Sequence, residues 1–227
     1  MQLNQDQIAQ IENYLSTCVE WYDVRIELVD HFALVIEKKL TANPNLDIKQ
    51  AIIDTHKSFG QTGFKELIKT KTKAVEKQFY ITAFKYFLGF FKIPRIILTV
   101  LIFYGLTKLQ LTFEDKTIIY YFFFCLVIYT MVNMVLRSIK LKKAKGEKFL
   151  TLNQGVIYLQ TIQGFYIILN SIATSFRSEA SFNNTYYNNF LIGVYVLLTL
   201  FLISCEYVFY HLKQDVKQRF PNLKLAQ

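Results

Sequence analysis

From Ile8 to Phe59 apolar residues recur at helical spacing, and further along they merge into long continuous runs. Ile8, Ile11, Leu15 and Cys18 define one stripe of a first helix. A second helix, about Tyr22–Leu40, carries Val24, Leu28, His31 and Val35 on one stripe, with Ile26, Val29, Ala33, Ile36 and Leu40 beside it. It is expected to stop before the turn signal Asn43-Pro44-Asn45. A third helix starts at Asp47, read as its N-cap, aligns Ile48, Ile52, His56 and Phe59, and ends at Gly60. A further helix is expected from near Thr62. It runs through Lys65, Lys69, Lys71, Lys73 and Lys77 into the aromatic stretch Phe79–Phe91, and Pro94 should then kink or restart it.

Beyond Pro94 the pattern changes from stripes to spans. Crossing a bilayer core takes roughly twenty apolar residues in helical form, because every backbone polar group must be satisfied internally. Thr117–Leu136 meets this without a charge, and Phe190–Tyr210 meets it with one, Glu206. Ile93–Leu111 holds Arg95 and Lys108 only near its ends, where long side chains snorkel. Leu152–Ile172 is uncharged but carries Asn153, Gln154, Gln160, Gln163 and Asn170. The expected fold is therefore all-α, an N-terminal three-helix cytosolic domain followed by a four-helix transmembrane bundle. The expected divisions are 1–75 for the domain, 76–92 for a juxtamembrane amphipathic helix, 93–212 for the spans and 213–227 for a basic cytosolic tail.

Composition and charge sharpen this picture. Of the 227 residues 52% are hydrophobic and 16% aromatic, which disfavours a soluble protein. Residues 1–92 hold twelve Lys/Arg against eleven Asp/Glu, so the net charge of +9 lies almost wholly among the spans. That distribution suits the lipid bilayer and its anionic headgroups as partners rather than nucleic acid. The loop Arg137–Lys148 has six basic residues, and Lys213, Lys217, Arg219 and Lys224 follow the last span. The two other loops hold only Lys116 and Arg177, so both termini are expected in the cytosol. The segment with the sequon Asn183-Asn184-Thr185 falls outside, where it matters only in a eukaryotic secretory pathway. The opening MQLNQDQIAQ lacks an apolar core and is read as neither signal peptide nor anchor. Cys18, Cys125 and Cys205 are far apart and are read as reduced thiols.

Candidate chemistry is sparse. Glu27 and His31 lie one turn apart, with Asp30 between, and His56 follows on the next helix; together they could bind a metal or sense protons. Both histidines fall on apolar stripes, however, which favours packed core residues, with Glu27 accepting the ring proton of His31. Glu206, the only acid within a span, reads as an interfacial carboxylate paired with Arg95 or Arg137 rather than a relay group. Asn153, Gln160, Gln163 and Asn170 share a stripe that must face protein or water, as interhelical glue ahead of a permeation path. Between Lys73 and Lys92 the lysines oppose Phe79, Tyr86 and Phe90, but Phe84 and Leu88 spoil the segregation. No phosphate loop, HExxH or GxSxG occurs, so no catalytic residue, metal ligand or cofactor is expected.

One set of residues carries a likeness. Tyr14-Leu15, Arg25-x-Glu27-Leu28-x-Asp30-His31, Ala51-Ile52 and Phe59-Gly60 resemble the three-helix HAAS or permease-prefix domain (DUF1700-like) that precedes membrane spans in many bacterial proteins. The likeness covers about residues 10–70 and departs at Thr41–Asn45, where a Gly-containing turn is usual. It implies a bacterial inner-membrane protein without established catalytic activity. The expected function is that of a non-enzymatic membrane protein, regulatory or scaffolding, whose helical domain binds a cytosolic protein. The alternative is a small transporter or channel component that uses the polar face of the third span.

Overall fold

The computed structural model describes residues 2–60, 63–113, 117–143, 146–175 and 184–221. Outside them lie the expected helix start at Thr62, the loop residues Lys116 and Arg177, Asn183 of the sequon, and Lys224 of the tail. Among the described residues the fold is all-α, a three-helix N-terminal domain followed by four helices long and apolar enough to cross a membrane. The helices are α1 (Gln5–Cys18), α2 (Tyr22–Ala42), α3 (Ile48–Lys57), α4 (Phe64–Leu88), α5 (Arg95–Thr112), α6 (Thr117–Lys143), α7 (Leu150–Ser175) and α8 (Thr185–Arg219), with a 3-10 turn at Gly89–Phe91. The chain forms two compact units. One contains residues 2–75 and 146–154, the other the remaining described residues.

In the first unit α1 starts at Asn4, whose side chain accepts from Gln7 N while the Gln7 side chain accepts from Asn4 N, a reciprocal capping box. α2 ends at Ala42 before the turn at Pro44-Asn45. Asp47 holds the N-cap position of α3 but makes no side-chain hydrogen bond there. Gly60 takes φ +78°, the left-handed conformation that suits glycine after a helix. The core joins Ile11 and Leu15 of α1 to Val24, Leu28, Phe32, Ile36 and Leu40 of α2, Ala51 and Ile52 of α3, and Phe64 of α4. Leu150, from the start of α7, is part of the same core and only 2% exposed.

The buried stripe of α2 thus runs 24-28-32-36-40 and turns through Phe32, not through His31. Steps of four residues drift slowly around a helix, and this drift carries His31 to the solvent side. Ile8 and Cys18 of the expected first stripe are likewise exposed.

In the second unit α8 is the most enclosed of the apolar helices, with half of its apolar window buried, against 6% for α5. Tyr195 lies at its centre, stacked on Phe123 of α6 and tilted against Tyr166 of α7. Gly155 lets α7 approach α8: a Cβ there would come within 2.8 Å of the Phe209 ring. The expected juxtamembrane helix is the second half of the 25-residue α4, which stops at Leu88 before the 3-10 turn and Pro94. Two other expected segments are more helical than their composition suggested. α6 continues into the basic loop as far as Lys143, and α8 carries Lys213, Lys217 and Arg219.

Candidate functional site

Two helix N-termini meet inside the first unit. α2 begins after Trp21, which offers no side-chain cap, so its first amide needs another acceptor. Tyr22 N donates to the carbonyl of Lys148 at 2.8 Å. In return Asp23, on the first turn of α2, caps α7: Leu150 N donates to its Oδ1 at 2.9 Å and Thr151 N to its Oδ2 at 3.1 Å. The carboxylate lies at the positive end of α7 and satisfies two of its orphan donors, a role normally taken by a residue adjacent in sequence.

Charge and packing reinforce this junction. Arg25, 7% exposed, pairs with Glu147 at 2.6 Å and lies over the Tyr22 ring, and Lys148 pairs with Glu20. Tyr22 meets Phe149 edge-on. Lys71 of α4 donates to the Asp23 carbonyl at 3.2 Å and pairs with Glu27 at 2.6 Å. Burial, together with the nearby Glu12 and Glu147 carboxylates, pushes the Tyr22 phenol above its usual range and keeps it neutral.

The sequence-expected candidates fall elsewhere. Glu27 is committed to Lys71 rather than to His31. His31 is exposed and meets Phe59 in an edge-on ring contact, so the expected core position is corrected; Asp30 beside it is exposed too. His56 is half-buried. It stacks on Phe64 at 4.6 Å, and the Tyr14 hydroxyl lies 2.5 Å from its Nδ1. Burial raises the Tyr14 pKa and keeps its phenol neutral in this pair. The two histidines are thus separated by the aromatic cluster of Phe59 and Phe64. Among the described residues no three His, Cys, Asp or Glu side chains gather where a metal could be held.

In the second unit Glu206 of α8 pairs with Arg137 of α6 at 2.6 Å, one of the two partners expected for it. The polar stripe of α7 faces protein: Gln163 and Asn170 are buried, while Ile157, Phe165, Ile168 and Ile172 on other faces are exposed. Gln160 donates to Ser138 of α6 at 3.3 Å, and Asn170 accepts from Tyr195 of α8 at 2.6 Å. Gln163 is 2% exposed, and neither atom of its amide has a partner among the described residues. It borders a narrow crevice too tight to admit a water molecule, lined also by Leu126, Val127, Thr130, Tyr166 and Leu202.

The junction around Asp23 escaped the sequence reading. Its partners are 127 and 128 positions apart, and no local pattern links an acid after one turn to a helix start that far downstream. The one available signal was Glu147-Lys148-Phe149-Leu150, an ion-pairing and apolar segment at the end of an otherwise basic loop. No family model, curated protein or solved structure matches the chain.

Proposed function

We propose that the chain is a non-enzymatic regulatory or scaffolding membrane protein whose N-terminal domain binds a cytosolic protein and communicates with the third span. The observation that carries this reading is the Asp23 cap. The first turn of α7 belongs to the folded domain, so a partner that shifts the start of α2 alters the hydrogen bonds that begin the span. Leu34 and Ile53 are large exposed apolar residues of the domain and offer a partner contact surface. The docking of 146–154 on the domain also favours a shared side for the domain and the α6–α7 loop, with α5 and α6 crossing between them. The basic residues of that loop then put both in the cytosol. The resemblance of residues 10–70 to permease-prefix domains favours a bacterial inner membrane.

A photo-crosslinker at Leu34 or Ile53 of the full chain in its native membrane tests the partner. One discrete protein adduct, absent when the crosslinker is moved to exposed Glu12, is the expected result. The transporter reading has one observation in its favour, a buried Gln163 amide without a partner among the described residues. It replaces the proposal if no adduct forms and purified protein in liposomes passes a solute in a manner that Gln163→Leu abolishes.

A further inference from the structure

The second half of α4 has two faces of different kinds. Phe79 and Ala83 are buried, and with Tyr80 and Phe87 they turn toward the other helices of the unit. Phe79 and Tyr80 both pack on Tyr158 of α7, and Phe87 packs edge-on against Phe201 of α8. The opposite face carries Ile81, Phe84 and Leu88, all large, apolar and exposed, with Phe84 53% accessible. Steps of three and four residues align the three along one ridge. Lys77 and Lys85 stand beside that ridge and Lys92 just beyond its end, all exposed.

The surroundings indicate what covers this ridge. α4 lies along the stretch of α8 that contains Phe201 and Tyr207, next to the Arg137–Glu206 ion pair. Tyr80 and Tyr158 meet at 5.5 Å, Tyr86 and Tyr207 at 4.5 Å, and Tyr207 contacts His211. A band of tyrosines with an ion pair at one end of apolar helices is the composition of a membrane–water boundary, where amphipathic rings favour the headgroup level. A ridge at that level meets acyl chains, while adjacent lysines extend their stems over it and hold their ammonium groups in the headgroups. This explains why Phe84 and Leu88 disrupt a simple two-faced pattern. The helix separates protein from lipid rather than core from water.

We infer that Ile81, Phe84 and Leu88, framed by Lys77, Lys85 and Lys92, form a lipid-docking surface that lies in the bilayer interface and prefers anionic headgroups. The inference needs the four apolar helices to be membrane spans but is independent of the partner-binding reading. From Lys77 to Lys92 the charged residues are three lysines, so charge complementarity selects an anionic lipid over a zwitterionic one.

The test uses the full chain in nanodiscs. Trp21→Phe removes the single tryptophan and Phe84→Trp places a reporter on the ridge. Leu88→Trp serves as a second reporter should the first not fold, as judged by far-ultraviolet circular dichroism. The reporter should be quenched by brominated acyl chains and resist aqueous iodide. Spin-labelled phosphatidylglycerol should compete better than phosphatidylcholine, and Lys77→Gln, Lys85→Gln and Lys92→Gln together should lower that preference by at least about fivefold, the effect of one lysine near an anionic surface. Quenching by iodide would place the ridge in water and overturn the inference. So would a reporter shielded from both quenchers, which means that a second copy or another protein covers the ridge, or an unchanged lipid preference in the triple variant.

Discussion

Asp23 engages two main-chain amides through its two carboxylate oxygens, so the cost of losing it can be estimated from helix capping. Asp23→Ala should lower the stability of the full chain by about 1 kcal/mol and Asp23→Asn by less, since the amide keeps one acceptor. Thermal unfolding in detergent checks the order; Asp23→Ala should also lose protease resistance at residues 146–149, and Lys71→Met should not. The histidines respond differently from each other because their burial differs. His31→Gln should change stability by no more than about 0.5 kcal/mol, as at an ordinary exposed site. Tyr14→Phe, which removes the hydroxyl beside His56, should cost about 1 kcal/mol. A larger loss at His31 than at Tyr14, measured by urea unfolding, would return His31 to the core.

The helices differ in how far their packing can be read from their own residues. All four helices long and apolar enough to cross a membrane were legible because continuous apolarity over a bilayer-length segment has few other structural meanings. α2 was legible as a helix but not as a face. Its apolar residues nearly surround it, and only the neighbours of Phe32 decide which stripe goes inward. The polar stripe of α7 was turned away from lipid, toward protein or water, by the cost of exposing amides to lipid, yet its partners Ser138 and Tyr195 are on other helices and no spacing within α7 names them. The Arg137–Glu206 pair joins α6 to α8 and is about one-third exposed at each end. In a double-mutant cycle of Arg137→Met and Glu206→Gln the coupling should be about 0.5–1 kcal/mol, as for a partly solvated pair. A coupling near zero would mean that the two side chains solvate separately. Leu150 links an apolar helix to a polar domain in the same way. A fragment of residues 1–75 lacks it and should unfold at lower temperature than the same fragment with residues 146–154 attached by a flexible linker, because the open Leu150 site leaves core surface wet.

At the scale of the whole molecule the clearest expectation is topological. In the proposed arrangement a reporter fused after Gln227 and one inserted at Gly146 should share a compartment, and one inserted at Asn184 should be on the opposite side. Equal locations for Gly146 and Asn184 would remove α7 from the bilayer. Chain order adds a further consequence of the Asp23 cap. Synthesis delivers α2 first and Leu150 127 residues later, a delay of roughly ten seconds at ordinary translation rates. The domain thus has time to fold and wait beside the ribosome with its carboxylate unoccupied. When α7 emerges, its amide-bearing start would meet a receptor already in position, and the most polar of the four apolar helices would be held at its starting residue. The N-terminal domain would then act as an assembly jig for the third span, one whose task is finished before any partner arrives.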